Sequence, residues 1–506
     1  MSADYDAIVV GGGHNGLVAA AYLARGGSRV LVLERSPVLG GATRSEETWP
    51  GYTVSTAAYV CSLFDPRIVD ELELRDHGFS AYRKEPASFT PLADGRSLLL
   101  GSDNAQNAAE ISRFDEADVE GFASFERNAE TLGAEVYAHL ADDEPSLASV
   151  DPAIRDLFET SVASFIERFV ATPVLQATLA TDGLIGTYAG PRDPGTTYVL
   201  AHHYAGRIFG EQGAWGFVRG GMGAISGAVA SAARAAGAEV RASSEVLSIA
   251  ERDGSGRLEV RCADGSAYRA RSVLSNADPS TTFLKLCDPD ALEPAFVARV
   301  RGWRAEGVSI KVNLALGELP NFTARPGTEP QPHHRATVHI APDVDYLQRA
   351  HDHARSKGAS AEPMLECFMQ TPTDPSLAPP GKHILSIFAQ YFPYSTASRW
   401  SLDAKHAAVR TIVETLARYA PNLPDIIEDW DVLTPADIEA RIGIAGGHIF
   451  HGELLPGQIF EHRFPVRTPL AGLYLCGSGT HPGGCVTGIP GRRAARAALA
   501  DLRAAV

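Results

Sequence analysis

Gly11, Gly13 and Gly16, in the run Gly11-Gly12-Gly13-His14-Asn15-Gly16, have the spacing at which a peptide backbone can approach a diphosphate. The first glycine suits a sharp turn, the second leaves room for phosphate, and the third lets a following helix pack closely on the preceding strand. Eighteen residues past Gly16 stands Glu34, where a carboxylate can accept both hydroxyls of a ribose. Run and acid together predict a bound dinucleotide with a free 2′-hydroxyl. Side chains able to move a proton lie elsewhere, in His202-His203-Tyr204 and in His448 with His451. An imidazole there either takes a proton from a substrate or serves as a structural hydrogen-bonding group. The His351-Asp352-His353 triplet reads as a solvated loop. The six cysteines, Cys61, Cys262, Cys287, Cys367, Cys476 and Cys485, contain no C-x-x-C, so most are expected to be buried and reduced. No metal site is written in these spacings.

The glycine run needs a strand before it and a helix after it. Asp6-Ala7-Ile8-Val9-Val10 supplies the apolar strand, and Leu17 to Arg25 reads as the helix whose N-terminal N–H groups face the anion. A second strand, Arg29 to Leu33, ends at Glu34. Further on, Glu239-Val240-Arg241, Val246 to Ile249, two strand-like runs set off by Asp253-Gly254 and Asp264-Gly265, and Ser272 to Ala277 read as a hairpin or meander. Residues 472 to 491 form another strand, glycine loop and helix start, with Pro490 in the first turn and helix continuing from Arg492 to Ala505. Residues 105 to 170 mix acidic and apolar positions at helical spacing and are expected to cap a pocket. Residues 300 to 400 alternate strand-like runs with loops rich in Pro and His.

A chain of 506 residues has room for two domains of ordinary size. Its 45% hydrophobic and 21% charged residues are the balance of a soluble globular protein. The net charge of −16, without a basic run, excludes nucleic acid as an expected partner. No stretch approaches the roughly 20 apolar residues of a spanning helix, which leaves peripheral membrane contact through an apolar patch open. The N-terminus runs from Met1 to Asp6 into a strand without a basic then apolar leader, so a cytoplasmic location is expected.

Together these motifs resemble the phytoene-desaturase-like branch of the flavin amine oxidase superfamily over nearly the whole chain. Gly40-Gly41-Ala42-Thr43-Arg44 resembles the segment that flavoproteins run beneath the FAD diphosphate, which selects FAD over NAD. The runs Ala177 to Asp182, Gly213 to Ala224, Gly447 to Gly452 and the C-terminal glycine motif carry the rest of the likeness. Within the branch they lie nearest a group named for pyridine nucleotides and disulfides. This sequence nevertheless has no cysteine pair and no second G-x-G-x-x-G, since Gly220-Gly221-Met222-Gly223 lacks the spacing. The resemblance implies an α/β fold in which a glutathione-reductase-like, Rossmann-type FAD-binding domain (1–90, 212–300 and 462–506) is interleaved with an α+β substrate or cap domain (91–211 and 301–461). It implies FAD contacts from Gly11, Gly13, Gly16, Glu34, Arg35, Gly41, Ala42, Thr43, Gly477, Thr487, Gly488 and Ile489, with Val246 near the adenine. The C-terminal helix N-terminus would then stabilise an anionic reduced flavin.

Gly307 to Lys311 resembles the strand on which flavin amine oxidases carry a lysine that reaches flavin N5 through a water. Lys311 is therefore the first catalytic candidate, its alternative being a surface lysine on a strand edge. His203 and Tyr391 complete the catalytic set. Tyr391, Phe392 and Tyr394 are expected either to rebuild an aromatic wall or to pack in the core. Such a wall would be needed because Cys485 stands where amine oxidases usually place an aromatic ring between the last two glycines. His481 and Pro482 are expected to line the pocket. The function this implies is dehydrogenation of a largely apolar, polyene or lipid-like substrate by hydride transfer to flavin N5, with oxygen or a quinone taking the electrons. Amine oxidation, redox-neutral isomerisation by reduced FAD, and a flavin-containing binding or assembly role are the alternatives.

Overall fold

The computed structural model describes residues 3–251, 256–395 and 400–504. The expected Asp253-Gly254 turn and the end of the last helix at Ala505 lie outside them.

The apolar run at the start forms the strand Ala3–Val10, and its Ala7, Ile8 and Val9 are fully buried. It lies in the middle of a parallel sheet, between Val30–Leu33 on one side and Ala267–Ser275 on the other. Glu239–Arg241 extends the sheet beyond Val30–Leu33, and Leu473–Leu475 joins Ala267–Ser275 in parallel. The expected meander is Val246–Glu251, Leu258–Cys262 and Ala267–Ser275, antiparallel in sequence, and its last strand enters the parallel core. Helix His14–Arg25 packs against the C-terminal helix Ile489–Ala504 and against Gly223–Ala235. The first helix begins three residues earlier than its apolar pattern suggests, because Gly13 is extended at ψ 167° and acts as its N-cap.

A second sheet has seven strands in the order Ile427–Leu433, Ser309–Leu316, His383–Gln390, Met364–Phe368, Thr337–Ile340, Ser88–Pro91 and Ser97–Leu100. All its neighbours are antiparallel except Thr337–Ile340 with Ser88–Pro91. The strand Ser88–Pro91 therefore straddles the expected boundary at residue 90. Helices Asn104–Ser112, Asp118–His139, Pro152–Phe158 and Val162–Ile166 occupy the region expected to cap a pocket. The largest apolar core unites these helices with the second sheet.

One local expectation is overturned. The His351-Asp352-His353 triplet is not a solvated loop but lies in the helix Val344–Lys357, capped by Asp343, whose carboxylate accepts from Tyr346 N. Leu347, Ala350, His351 and Ala354 fall on one face at helical spacing, and that face is buried. Among the described residues no helix is long and apolar enough to cross a membrane.

Candidate functional site

Glu34 closes the nucleotide-binding turn. Its two carboxylate oxygens accept from Gly12 N at 2.6 Å and Ser36 N at 2.8 Å, and its backbone carbonyl accepts from Ser244 N. That last bond brings the start of the Val246 strand beside the acid. Asn276, absent from the predicted set, fills the space between the glycines: a Cβ on Gly13 would lie 2.7 Å from its Nδ2. Gly40 turns at φ 115° and donates to Gly12 O, which lays Gly41, Ala42 and Thr43 alongside the first turn. Thr43 Oγ1 bonds Gly40 O at 2.9 Å and Ser226 Oγ at 2.5 Å. No side chain caps helix His14–Arg25, so its first N–H groups are available to an anion. Buried Arg44 Nε and Asn15 Oδ1 also have no hydrogen-bond partner. This combination of free helix amides, a buried guanidinium with an unbonded Nε and a glycine cradle fits the diphosphate of FAD.

The other predicted contacts converge on the same place, with one outlier. A Cβ on Gly477 would lie 2.8 Å from Asn276 O, so the C-terminal loop touches the first turn. Thr487 O accepts from Asp65 N, Thr487 Oγ1 accepts from Ile489 N at 3.2 Å, and Gly488 precedes the C-terminal helix. Arg35 is exposed, with its Nη2 donating to Ala440 O.

A cavity of about 870 Å³ opens from this cradle, where His14, Ala42, Ser478 and Cys485 line it, and runs over one face of the second sheet. Lys311 lines it. The lysine is 3% exposed, on a strand buried at every position, so it is no edge residue. Its Nζ donates to Asn313 Oδ1 at 3.0 Å and stands 4.6 Å from the centre of the Tyr59 ring. Burial without a carboxylate in contact pushes the ammonium down to about 7. His203 also lines the cavity. Its Nδ1 donates to Asp182 O at 2.7 Å, which leaves Nε2 as an acceptor, 3.6 Å from Cys485 Sγ. Burial lowers the imidazole to about 4 and raises the thiol, so the two meet as neutral groups, with the Nε2 lone pair turned toward the thiol. Cys485 and Val486 hold left-handed backbone at φ 73° and 56°, a strained conformation at the wall of the cavity.

Tyr391 corrects the expected catalytic set. It is fully buried, donates to Ala189 O at 2.8 Å and packs with Val308, Ala350 and Ala354 away from the cavity. Phe392 is core, and Tyr394 is tied to Glu439, so neither builds an aromatic wall. Tyr391→Phe should lower stability by about 1 kcal/mol in a denaturant titration, the worth of one buried hydrogen bond, and leave the reaction rate within about twofold. A large loss of rate at full stability would return Tyr391 to the site. His481 and Pro482 also miss the cavity. His481 Nε2 bonds His139 O at 3.0 Å and its ring packs 5.0 Å from that of Phe460. His448 and His202 are buried outside it, whereas His451 is in its lining.

The residues that sequence reasoning missed are Lys84, Asp182, Glu366 and His339, which all line the cavity on separate segments. Only Asp182 fell within a quoted run, and nothing in its local pattern marks a carboxyl group facing a cavity.

The family model for flavin-containing amine oxidoreductases matches residues 16–499. The mouse (Mus musculus) pyridine nucleotide-disulfide oxidoreductase domain-containing protein 2 is 37% identical, over 99% of this chain and 94% of its own length. A lycopene-forming phytoene desaturase from Pseudescherichia vulneris is 27% identical over 98% of both chains. The solved structure of cyclohexylamine oxidase from Brevibacterium oxydans superposes with a TM-score of 0.62 at 16% identity, covering 99% of each chain. With the glycine cradle, the two-sheet architecture and the buried lysine already in place, the chain belongs to the flavin-containing amine oxidoreductase family and is an FAD-dependent oxidoreductase.

Proposed function

We propose that the protein dehydrogenates a long, largely apolar substrate. The observation that carries this reading is the cavity, whose lining joins residues of the cofactor cradle to the apolar side chains Tyr59, Phe388, Phe450, Ile111, Phe122 and Leu179. Walls of this kind bind apolar surface by excluding water. Bound FAD supplies the acceptor for the hydride leaving one carbon. The neighbouring carbon gives up a proton, for which His203 Nε2 offers a lone pair, and the electrons pass on to oxygen or a quinone. Cys485, beside the cradle, has no flat ring face to hold an amine nitrogen against the cofactor, which speaks against an amine as the group oxidised.

The test is the visible flavin spectrum of the purified protein, held anaerobically, during titration with polyenes, long-chain lipids and small hydrophobic amines. Bleaching by the first two classes is expected. Bleaching by small amines alone would make the protein an amine oxidase, and tight polyene binding without bleaching would point to isomerisation.

A further inference from the structure

Register places four cavity residues in one row across the second sheet. Lys311 pairs with both Leu433 and Phe388, Phe388 pairs with Glu366, and Glu366 pairs with His339. Leu433, at one end, clusters with Ala42 and Ala57 beside the cofactor cradle. Two strand spacings, roughly 10 Å, separate the backbones of Lys311 and Glu366, and one more leads to His339. The row thus starts at the cofactor and ends at a buried group of ionisable side chains.

That group is over-supplied with acid. Glu366 is 3% exposed; Thr181 hydrogen-bonds its carboxyl group, but Oε1 has no hydrogen-bond partner and stands 3.6 Å from His339 Nδ1. Asp182 faces the same space, and Glu126 follows along the wall with Oε1 accepting from Tyr204 OH at 3.0 Å. The single lysine, Lys84, is 7% exposed, donates to Thr337 Oγ1 and lies 5.5 Å from the Phe368 ring. His339 is held neutral by burial.

We propose that this end of the cavity is a head-group site for a protonated amine, seated between the Asp182 and Glu366 carboxyl groups, on a substrate whose reacting carbons lie at the Lys311 end. The assignment rests on the long apolar substrate proposed above and adds a charged terminus to it. The ammonium is a handle some two strand spacings from the chemistry and is not itself oxidised.

Charge counting selects the cation. Lys84 can compensate one buried carboxylate, and a second stays uncharged unless another cation arrives, because an uncompensated buried charge is strongly disfavoured. Burial accordingly lifts Asp182 to about 6 and Glu366 to about 8, while Lys84, whose other acidic neighbour is Glu85, falls to about 8. An anionic head would meet Asp182 and Glu366 with Lys84 as the cation acting on both, Arg83 of the same lining being paired with Glu211. A neutral head would satisfy Glu366 Oε1 but leave the surplus proton in place. An ammonium satisfies the oxygen and displaces the proton.

Isothermal titration calorimetry on the FAD-loaded protein tests this with decylammonium, decan-1-ol and decanoate, run at pH 7 in two buffers of different ionisation enthalpy. Decylammonium should bind at least about tenfold more tightly than decanol, with release of close to one proton, and decanoate should bind most weakly. In Glu366→Gln the advantage of decylammonium over decanol and the proton release should both vanish, with the decanol affinity held within about twofold. Retained decanol binding also shows that the variant is folded. Equal affinity for all three heads overturns the head-group site and leaves the apolar substrate standing. Decanol binding best, or a preference for decylammonium that survives in Glu366→Gln, overturns it too. Binding of none of the three removes the long-chain reading and this proposal with it.

Discussion

Lys311→Met is expected to turn over about a hundredfold or more slowly than the native protein while still carrying FAD. Lys311 stands at the Leu433 end of the row, and Asn313 Oδ1, itself fixed by a 2.7 Å bond from Ser386 Oγ, holds its Nζ in place. A preoriented cation in a site screened from water is worth this much when charge develops beside it. Methionine has nearly the same length and no charge, so packing is kept and only electrostatics are lost. The pH profile makes the expectation sharper. Burial brings the ammonium down to about 7, so it is charged below that value and neutral above it. A step that depends on the cation therefore slows as pH rises through about 7, and this inflection should be absent in Lys311→Met. Lys311→Arg, which stays charged across the range, should restore part of the rate and lose the inflection. Stopped-flow measurement of reduction and reoxidation from pH 5.5 to 9 reads all three proteins. Native rates with an unchanged inflection in Lys311→Met would remove the lysine from the chemistry.

The cofactor cradle was legible in the sequence because its parts are local. A strand, a glycine turn, a helix and an acid eighteen residues on lie within the first 34 residues, and each has a backbone reason for its place. The far end of the cavity was not legible, since its chemistry is made by register. Glu366 sits in the strand Met364–Phe368, buried at every position, and becomes a cavity residue only because Phe388 stands between it and Lys311. Lys84 and Asp182 reach the same space from a loop before the second sheet and from a turn among the cap helices. Tyr391 failed for a related reason. It follows directly on the strand His383–Gln390, where a polar aromatic residue reads as a wall, yet its ring turns toward helix Val344–Lys357 and packs 5.4 Å from His351. His351 in turn looked solvated beside Asp352, although the spacing of Leu347, Ala350 and Ala354 already placed it on the apolar face.

Gly16→Ala should yield a protein that purifies colourless, with less than about a tenth of the FAD of the native chain. A Cβ at residue 16 would fall well inside contact distance of the Gly11 carbonyl oxygen and 3.1 Å from Asn276 Cβ. Neither neighbour is a free side-chain end. Gly11 is in the turn, donating to Leu33 O at 2.8 Å, and Asn276 is anchored through Asn276 N to Val10 O. Helix His14–Arg25 must therefore lift off the strand Ala3–Val10, at an overpacking cost of about 1–3 kcal/mol. The lift carries the free N–H groups of the first turn away from the glycine loop, so the anion site is lost before the fold is. Gly227→Ala supplies the control. Gly227 lies mid-helix in Gly223–Ala235 with nothing within 4 Å of its would-be Cβ, so alanine there should keep FAD and raise stability by up to about 1 kcal/mol. The ratio of absorbance at 450 nm to that at 280 nm, with a denaturant titration of each protein, separates the two effects. Full yellow colour in Gly16→Ala would mean that the close approach of helix and strand does not set the diphosphate site, and that Arg44 and the Gly40 turn hold the cofactor without it.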